Sequence, residues 1–279
     1  MNVVGEPTLS VRTLASGSSG NLALVRSGDD IVALDLGIAS QRGLMEALAR
    51  SDVVPAALTA AIVSHEHSDH LSYSGLRICA AAGVPVLAGS STIRAAGRTW
   101  QARLGKPMPS EVVSELEADT TYLVGSLEVT PFRVSHDVPT FGFTVVARGA
   151  AGLRKLSIAT DLGCVTPGLA ARFADSDALL VEANYDEDLL RKSPRHPEDK
   201  ARVASDVGHL SNVQSGRFLA EIAANSKRLP RAVVLVHLSD DHNRPELALR
   251  DAGDLSGIRK RVPEFLAAPR LTSGPWIDL

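Results

Sequence analysis

Three things are scarce in this sequence. Two cysteines, Cys79 and Cys164, stand among 279 residues. That is too few for a disulfide framework and fits a reducing compartment, so a cytoplasmic location is expected. Net charge is also small, −3 from 29 basic and 32 acidic side chains. No global field therefore draws the chain to nucleic acid or to an anionic membrane, and any polyanion contact must come from a local patch. Finally, no apolar run approaches the ~20 residues needed to span a bilayer. Met1 to Ser10 lack a basic start followed by an apolar stretch, which argues against a secretory leader. No linker, charge block or low-complexity tract divides the chain. At 44% hydrophobic it can bury a full core, and a single domain over residues 1–279 is expected.

Histidine, by contrast, is concentrated. Three of the eight histidines fall in the run His65-Glu66-His67-Ser68-Asp69-His70, directly after the apolar stretch Leu58 to Val63. Imidazole and carboxylate are the ligands of zinc and similar divalent ions. A buried strand that ends in such a cluster delivers it to a sheet edge. Alternation along extended backbone puts His65 and His67 on one side. The chain must then turn, so Asp69 and His70 can face a second metal.

The rest of the chain reads as short strands followed by helices. Strands are expected at 8–14 and 22–26, flanking the small-residue turn Ala15-Ser16-Gly17-Ser18-Ser19-Gly20-Asn21, and at 31–36 after the hairpin signal Gly28-Asp29-Asp30. Helical spacing covers 40–50, 72–82 and 90–104, with a short strand at 84–87. Further strands are expected at 121–124, 127–134, 141–147, 155–160, 178–181 and 232–236, with a turn at 149–152. Helices are expected near 167–174, 186–192, 197–206 and 212–224. Two such successions point to an α/β fold with two sheets packed together and helices outside, a four-layer αββα sandwich.

Three more chemistry-bearing residues each follow an expected strand: His136, Asp161 and His237. Strand ends gathered at one edge are a usual place for a site. Here the sequence resembles the metallo-β-lactamase-fold hydrolases over nearly its whole length. Residues 65–70 are similar to that family's HxHxDH signature, and His136, Thr160-Asp161 and His237 match its later motifs in order. The resemblance implies two divalent metal ions. His65, His67 and His136 would hold one, Asp69, His70 and His237 the other, with Asp161 bridging. Nitrogen and carboxylate donors suit Zn²⁺ or Mn²⁺ alike.

A narrower likeness rests on Leu14 to Asn21, Val181-Glu182-Ala183-Asn184-Tyr185-Asp186, Gly208-His209-Leu210-Ser211-Asn212 and His237-Leu238-Ser239. These resemble the YycJ/WalJ-like subgroup, which implies a 5′-to-3′ exonuclease acting on double-stranded DNA. Two departures stand out: Asn184-Tyr185-Asp186 where Asn-His-Asp is expected, and His242-Asn243 where Asn-Asn is expected.

On that resemblance a metal-bridged hydroxide attacks phosphorus, and Asp69 can orient the water and take a proton. His209 is a candidate proton donor or oxyanion contact. It reads equally as a structural histidine pinning a helix start capped by Ser211 or Asn212. Ser18, Ser19 and Asn21 can cradle a phosphate or simply form a hairpin turn. Arg191, Lys192, Arg195, Lys200 and Arg202 form the densest basic stretch. A solvated helix face explains such a run, but Lys200, Arg202 and Asn212 are where nucleic-acid contacts would fall. His196 and His242 read as surface residues, Cys79 and Cys164 as core. The same metal pair would also serve a small-molecule hydrolase acting on a cyclic phosphodiester, lactone, thioester or β-lactam.

Overall fold

A computed structural model describes residues 8–149 and 152–279. The first seven residues, on which the absence of a leader was argued, and Ala150 and Ala151 of the expected turn lie outside the described residues. Strands β1 (Ser10–Ala15), β2 (Leu22–Ser27) and β3 (Asp30–Leu34) lead to α1 (Gln41–Ala49), β4 (Ala60–Val63) and α2 (Tyr73–Ala82). Then follow β5 (Val86–Ala88), α3 (Ser90–Leu104), β6 (Val113–Glu115), β7 (Tyr122–Val124), β8 (Leu127–Val134), β9 (Thr140–Gly149) and β10 (Gly152–Ala159). Next come α4 (Leu169–Phe173), β11 (Ala178–Glu182), α5 (Glu187–Lys192), α6 (Pro197–Val203) and α7 (Asn212–Asn225). The chain closes with β12 (Ala232–Val236), α8 (Pro245–Ser256), β13 (Glu264–Ala267) and β14 (Ile277–Asp278).

The described residues gather into two compact units. One holds the chain up to Pro131 with Val146–Leu153 and Pro269–Asp278, the other Phe132–Val145, Arg154–Ala268 and Leu279.

In the first unit the sheet runs β14-β1-β2-β3-β4-β5-β6. Strands β1 to β3 pair antiparallel, and β3 to β6 pair parallel. Every residue of β4 is buried, as a parallel strand covered on both faces requires. Leu14, Leu24, Ala61, Val63, Leu76 and Trp100 belong to one core. Helix α2 starts where the Ser72 hydroxyl accepts the Gly75 N–H and stops at Gly83, whose φ of 70° is left-handed, the usual pair of helix signals.

The other sheet runs β13-β12-β11-β10-β9-β8-β7. Strands β10 to β13 are parallel, in the register Ala159↔Val181↔Leu235↔Ala267. Strands β11 and β12 are buried throughout. Phe173 stands edge-on to Phe132 and to Phe218, at 5.7 and 5.2 Å between ring centres. Among the described residues no helix is long and apolar enough to cross a membrane.

The expected elements between 8 and 112 recur with small shifts. The strand expected from Leu58 starts at Ala60, because Pro55–Ala57 form a 3-10 turn. Nothing was expected at β6 or after His242, where α8, β13 and β14 lie. The two short edge strands carry little alternation. β14 exists because of its partner, with Val11 opposite Ile277 across the sequence.

Candidate metal centre

In the first unit, β3 and β4 are parallel neighbours with Leu34 opposite Ile62. Their C-terminal ends therefore emerge together, one carrying Asp35, the other the run His65 to His70. This is the end of a parallel sheet at which sites collect. Asp35 holds the run in place. Its Oδ1 accepts the Ser64 N–H at 2.8 Å and its Oδ2 accepts His70 Nδ1–H at 2.7 Å. Ser64 Oγ lies 3.0 Å from His65 Nδ1. The His65 ring centre is 4.6 Å from that of His67 and 4.2 Å from that of His70. His65 and His70 are fully buried, while the Asp69 side chain is 23% exposed and its Oδ2 lies 3.6 Å from His70 Nε2.

Asn21 ties the small-residue turn to this run. Its Oδ1 accepts the Gly17 N–H, its backbone N–H donates to Asp69 O at 2.8 Å, and its Nδ2 lies 3.0 Å from His70 Nε2. Asn21 is buried, so it braces the loop rather than greeting a ligand. Ser18 and Ser19 are exposed. Gly37 stands where a side chain has no room: a Cβ there would overlap the carbonyl of Asp69.

In the second unit the register of β10, β11 and β12 brings Asp161, Glu182 and His237 out at one sheet edge. Asp161, Glu182, His209 and His237 offer ligand atoms within 4.8 Å of one another. At the middle sits Glu182, fully buried. Its Oε1 accepts His237 Nδ1–H at 2.8 Å, His209 Nδ1–H at 2.9 Å and the Asp161 N–H at 3.3 Å. Its Oε2 accepts the Leu162 and Leu210 N–H groups. Burial pushes this carboxyl up, yet the charge and hydrogen bond of His209, and then those of His237, outweigh it and hold the group down to about 2. It is an anion.

His136 donates Nδ1–H to Gly208 O at 3.2 Å and sets Nε2 3.7 Å from Asp161 Oδ1. Burial lowers the pKa of His136 against the pull of Asp161 and Asp137, so the neutral, metal-binding form is favoured. His209 is held on both sides: its N–H donates to Val203 O and Leu210 O accepts the Asn184 N–H. Two residues on, Ser211 caps α7 in a reciprocal box with Gln214. The capping expected of that motif is present, and it leaves the His209 side chain free to meet Glu182.

The donor chemistry fits divalent metal. Nδ1 of His70, His136, His209 and His237 each faces an acceptor, from Asp35, Gly208 O and, twice, Glu182. That assigns the proton to Nδ1 and the lone pair to Nε2, and an outer carboxylate behind a ligating imidazole also raises its basicity. Asp35, Asp161 and His237 all adopt left-handed backbone, with φ of 61°, 54° and 57°. Such strain, of order 1–3 kcal/mol per residue, is typical where a site over-determines the chain.

Other expected contacts turn out differently. Asn212 is buried and exchanges amide hydrogen bonds with Asn243 at 3.1 and 2.8 Å. Its side chain is thereby taken up inside the protein. Arg191 and Lys192 pair with Asp188, Arg195 with Asp241 and Arg202 with Asp137. Lys200 Nζ donates to Arg191 O, so the basic stretch reads as a solvated face of α5 and α6. His196 is exposed, but His242 is only 2% exposed and was misjudged as surface; the Ser239 turn encloses it. Cys79 is buried and its thiol is pushed up to about 12 by that burial, while Cys164 is half-buried rather than core. Asp35 and Glu182 were missed as supports of the ligands. The only local signal was that each ends an apolar strand.

The model of the beta-lactamase superfamily domain matches residues 35–254. The chain is 31% identical over 241 residues to exodeoxyribonuclease WalJ of Streptococcus pneumoniae serotype 2 (strain D39 / NCTC 7466), covering 84% of this chain and 83% of that protein. It is 30% identical over 239 residues to exodeoxyribonuclease YycJ of Bacillus anthracis, covering 84% of each. The metallo-beta-lactamase fold protein YhfI from Bacillus subtilis superposes with a TM-score of 0.69 at 17% identity, over 98% of this chain and 100% of that one. The last likeness gives the fold, of the α/β class expected from the strand and helix succession. The chain belongs to the beta-lactamase superfamily, as a WalJ/YycJ-like metal-dependent hydrolase.

Proposed function

We propose that the chain acts as one hydrolase domain that binds two divalent ions, Zn²⁺ or Mn²⁺, and degrades double-stranded DNA from its 5′ ends. The chemistry rests on the imidazoles of His136 and His237, whose Nδ1–H is taken by an acceptor, which leaves Nε2 for metal. The substrate class rests on the two relatives named as exodeoxyribonucleases. The proposed ligands are His65, His67, Asp69 and His70 of the first unit and His136, Asp161 and His237 of the second. Ions held by such residues supply water with a pKa near 7 and positive charge for phosphoryl oxygens.

The chain's own groups then do three things. Asp69, a half-buried carboxylate whose Oδ2 lies 3.6 Å from His70 Nε2, orients the attacking water and takes its proton. His209, its Nδ1–H held on the buried Glu182, presents Nε2 to the leaving oxygen and serves as its proton donor when that nitrogen carries a proton. Glu182 positions that ring rather than touching substrate. Two unpaired cysteines suit a cytoplasmic setting.

The test is a metal-supplemented assay on 5′-phosphorylated duplex DNA, RNA, a simple phosphodiester and a lactam. Duplex DNA should be shortened from its 5′ ends, and chelation or Asp69→Asn should abolish this while the fold persists. Intact DNA with Zn²⁺ or Mn²⁺ present, alongside cleavage of the lactam or of the simple diester alone, would replace the nuclease by a small-molecule hydrolase.

A further inference from the structure

Beside Asp69 the first unit carries a cavity of about 500 Å³, within the range that holds a small organic ligand. Its wall is unusually rich in hydroxyls: Ser18, Ser19, Ser68, Ser72, Tyr73 and Ser74, with Arg103 as its cation. Two of these hydroxyls are spent on the protein, since Ser72 and Ser74 donate to Ile38 O and Ala39 O. Those of Ser18, Ser19, Ser68 and Tyr73 have no protein partner among the described residues. Arg103, at the last turn of α3, makes no ion pair among the described residues, although Asp69 lines the same cavity. Its guanidinium lies 5.6 Å from the centre of the Tyr73 ring, which turns the cation toward the cavity wall rather than into an ion pair. Arg98, by contrast, reaches toward Glu66; Arg77 lies 5.9 Å from the centre of the same Tyr73 ring but is not part of the cavity wall.

An unpaired guanidinium with several free hydroxyls is the chemistry that recognises a phosphate. A guanidinium matches the oxygens of a phosphate in a planar fork, and hydroxyls turn to meet the rest. A terminal phosphate monoester carries close to two negative charges at neutral pH, against one for an internal diester, so the Arg103 guanidinium favours the monoester, while Asp69 on the same wall opposes an anion on its own side. The cavity is too large for a bare phosphate and has room for the nucleotide that bears it.

We propose that this cavity is the subsite for the 5′-phosphorylated terminal nucleotide of the DNA strand, with Arg103 its specificity-determining residue and Ser18, Ser19 and Ser68 its further phosphate contacts. The assignment rests on the exonuclease reading. It adds a reason for end selection: the terminal monoester is read beside Asp69, so the enzyme engages ends and not internal diesters.

Two measurements on the metal-loaded full chain test it. Calorimetry compares thymidine 5′-monophosphate with thymidine, and a cleavage assay compares duplexes with 5′-phosphate and 5′-hydroxyl ends. Wild type should bind the monophosphate at least tenfold tighter than the nucleoside and prefer 5′-phosphate ends. Arg103→Gln should lose about tenfold in monophosphate affinity, the effect of one charge-assisted contact, and most of the end preference. Ser18→Ala with Ser19→Ala should weaken the monophosphate further while circular dichroism stays native. If Arg103→Gln binds the monophosphate as wild type does, the subsite is wrong, even if DNA is still degraded. If DNA is left intact but monophosphate binding depends on Arg103, the subsite stands and the nuclease reading fails.

Discussion

A carboxylate that accepts five N–H groups cannot become an amide without loss. Glu182 serves His209, His237, Asp161, Leu162 and Leu210 at once. Glu182→Gln keeps the size but brings its own N–H hydrogens against donors, and it withdraws the charge that holds both rings. Replacing an outer partner of this kind costs about 10–100-fold in metal affinity or rate. Metal content per chain and turnover should both fall in Glu182→Gln, with the helical signal retained. A folded variant that keeps wild-type metal affinity would show the rings to be oriented otherwise. The proposed ligand residues stand out in the sequence, because imidazole and carboxylate in that order after apolar strands have few other uses. Glu182 was visible only as part of a stretch of sequence similarity. No local rule separates a fully buried anion from a residue that ends a strand at the surface.

Within each unit, elements bring such residues together by parallel registry and by tight loop crossings. The strands ending in Asp35, His65, Asp161, Glu182 and His237 were legible because buried parallel strands read as short β-branched runs between turns. The crossings were not. Gly37 passes against the carbonyl of Asp69, a contact between residues far apart in sequence that no periodicity announces. Gly37→Ala should therefore push the ligand loop away and destabilise by about 1–3 kcal/mol, the scale of an overpacked site. Gly97→Ala is the internal contrast. It sits inside α3 with open space around a new Cβ, so it should stabilise by roughly 0.5–1 kcal/mol. Thermal unfolding of the two variants should move in opposite directions. A Gly37→Ala protein as stable as wild type would mean that the crossing is slack.

At the scale of the whole molecule, local pattern yielded the succession of strands and helices but not how distant parts close it. The first unit takes its last strand from the far end of the chain, where β14 pairs with β1. Two residues of strand have no signature of their own, and α8 and β13 were likewise unread past His242. Metal should matter at this scale as well. The proposed metal sites exist only in the folded chain, so saturating metal should stabilise by mass action, about 2.7 kcal/mol at a hundredfold excess over the dissociation constant. For a chain of this length that raises the melting temperature by about 5 °C or more. Scanning calorimetry before and after chelation measures it, and identical melting curves would argue that no ion is bound.

Asn21 has a consequence that concerns precision. One buried amide grips the turn bearing Ser18 and Ser19 with one edge and the loop bearing Asp69 and His70 with the other. The hydroxyls of the cavity and the first ligands of the metal centre therefore ride on a single frame. Thermal displacement of one is shared by the other, so their separation is held more tightly than either position. If the proposed nuclease reading holds, that fixed separation would set where a bond is cut relative to a strand end.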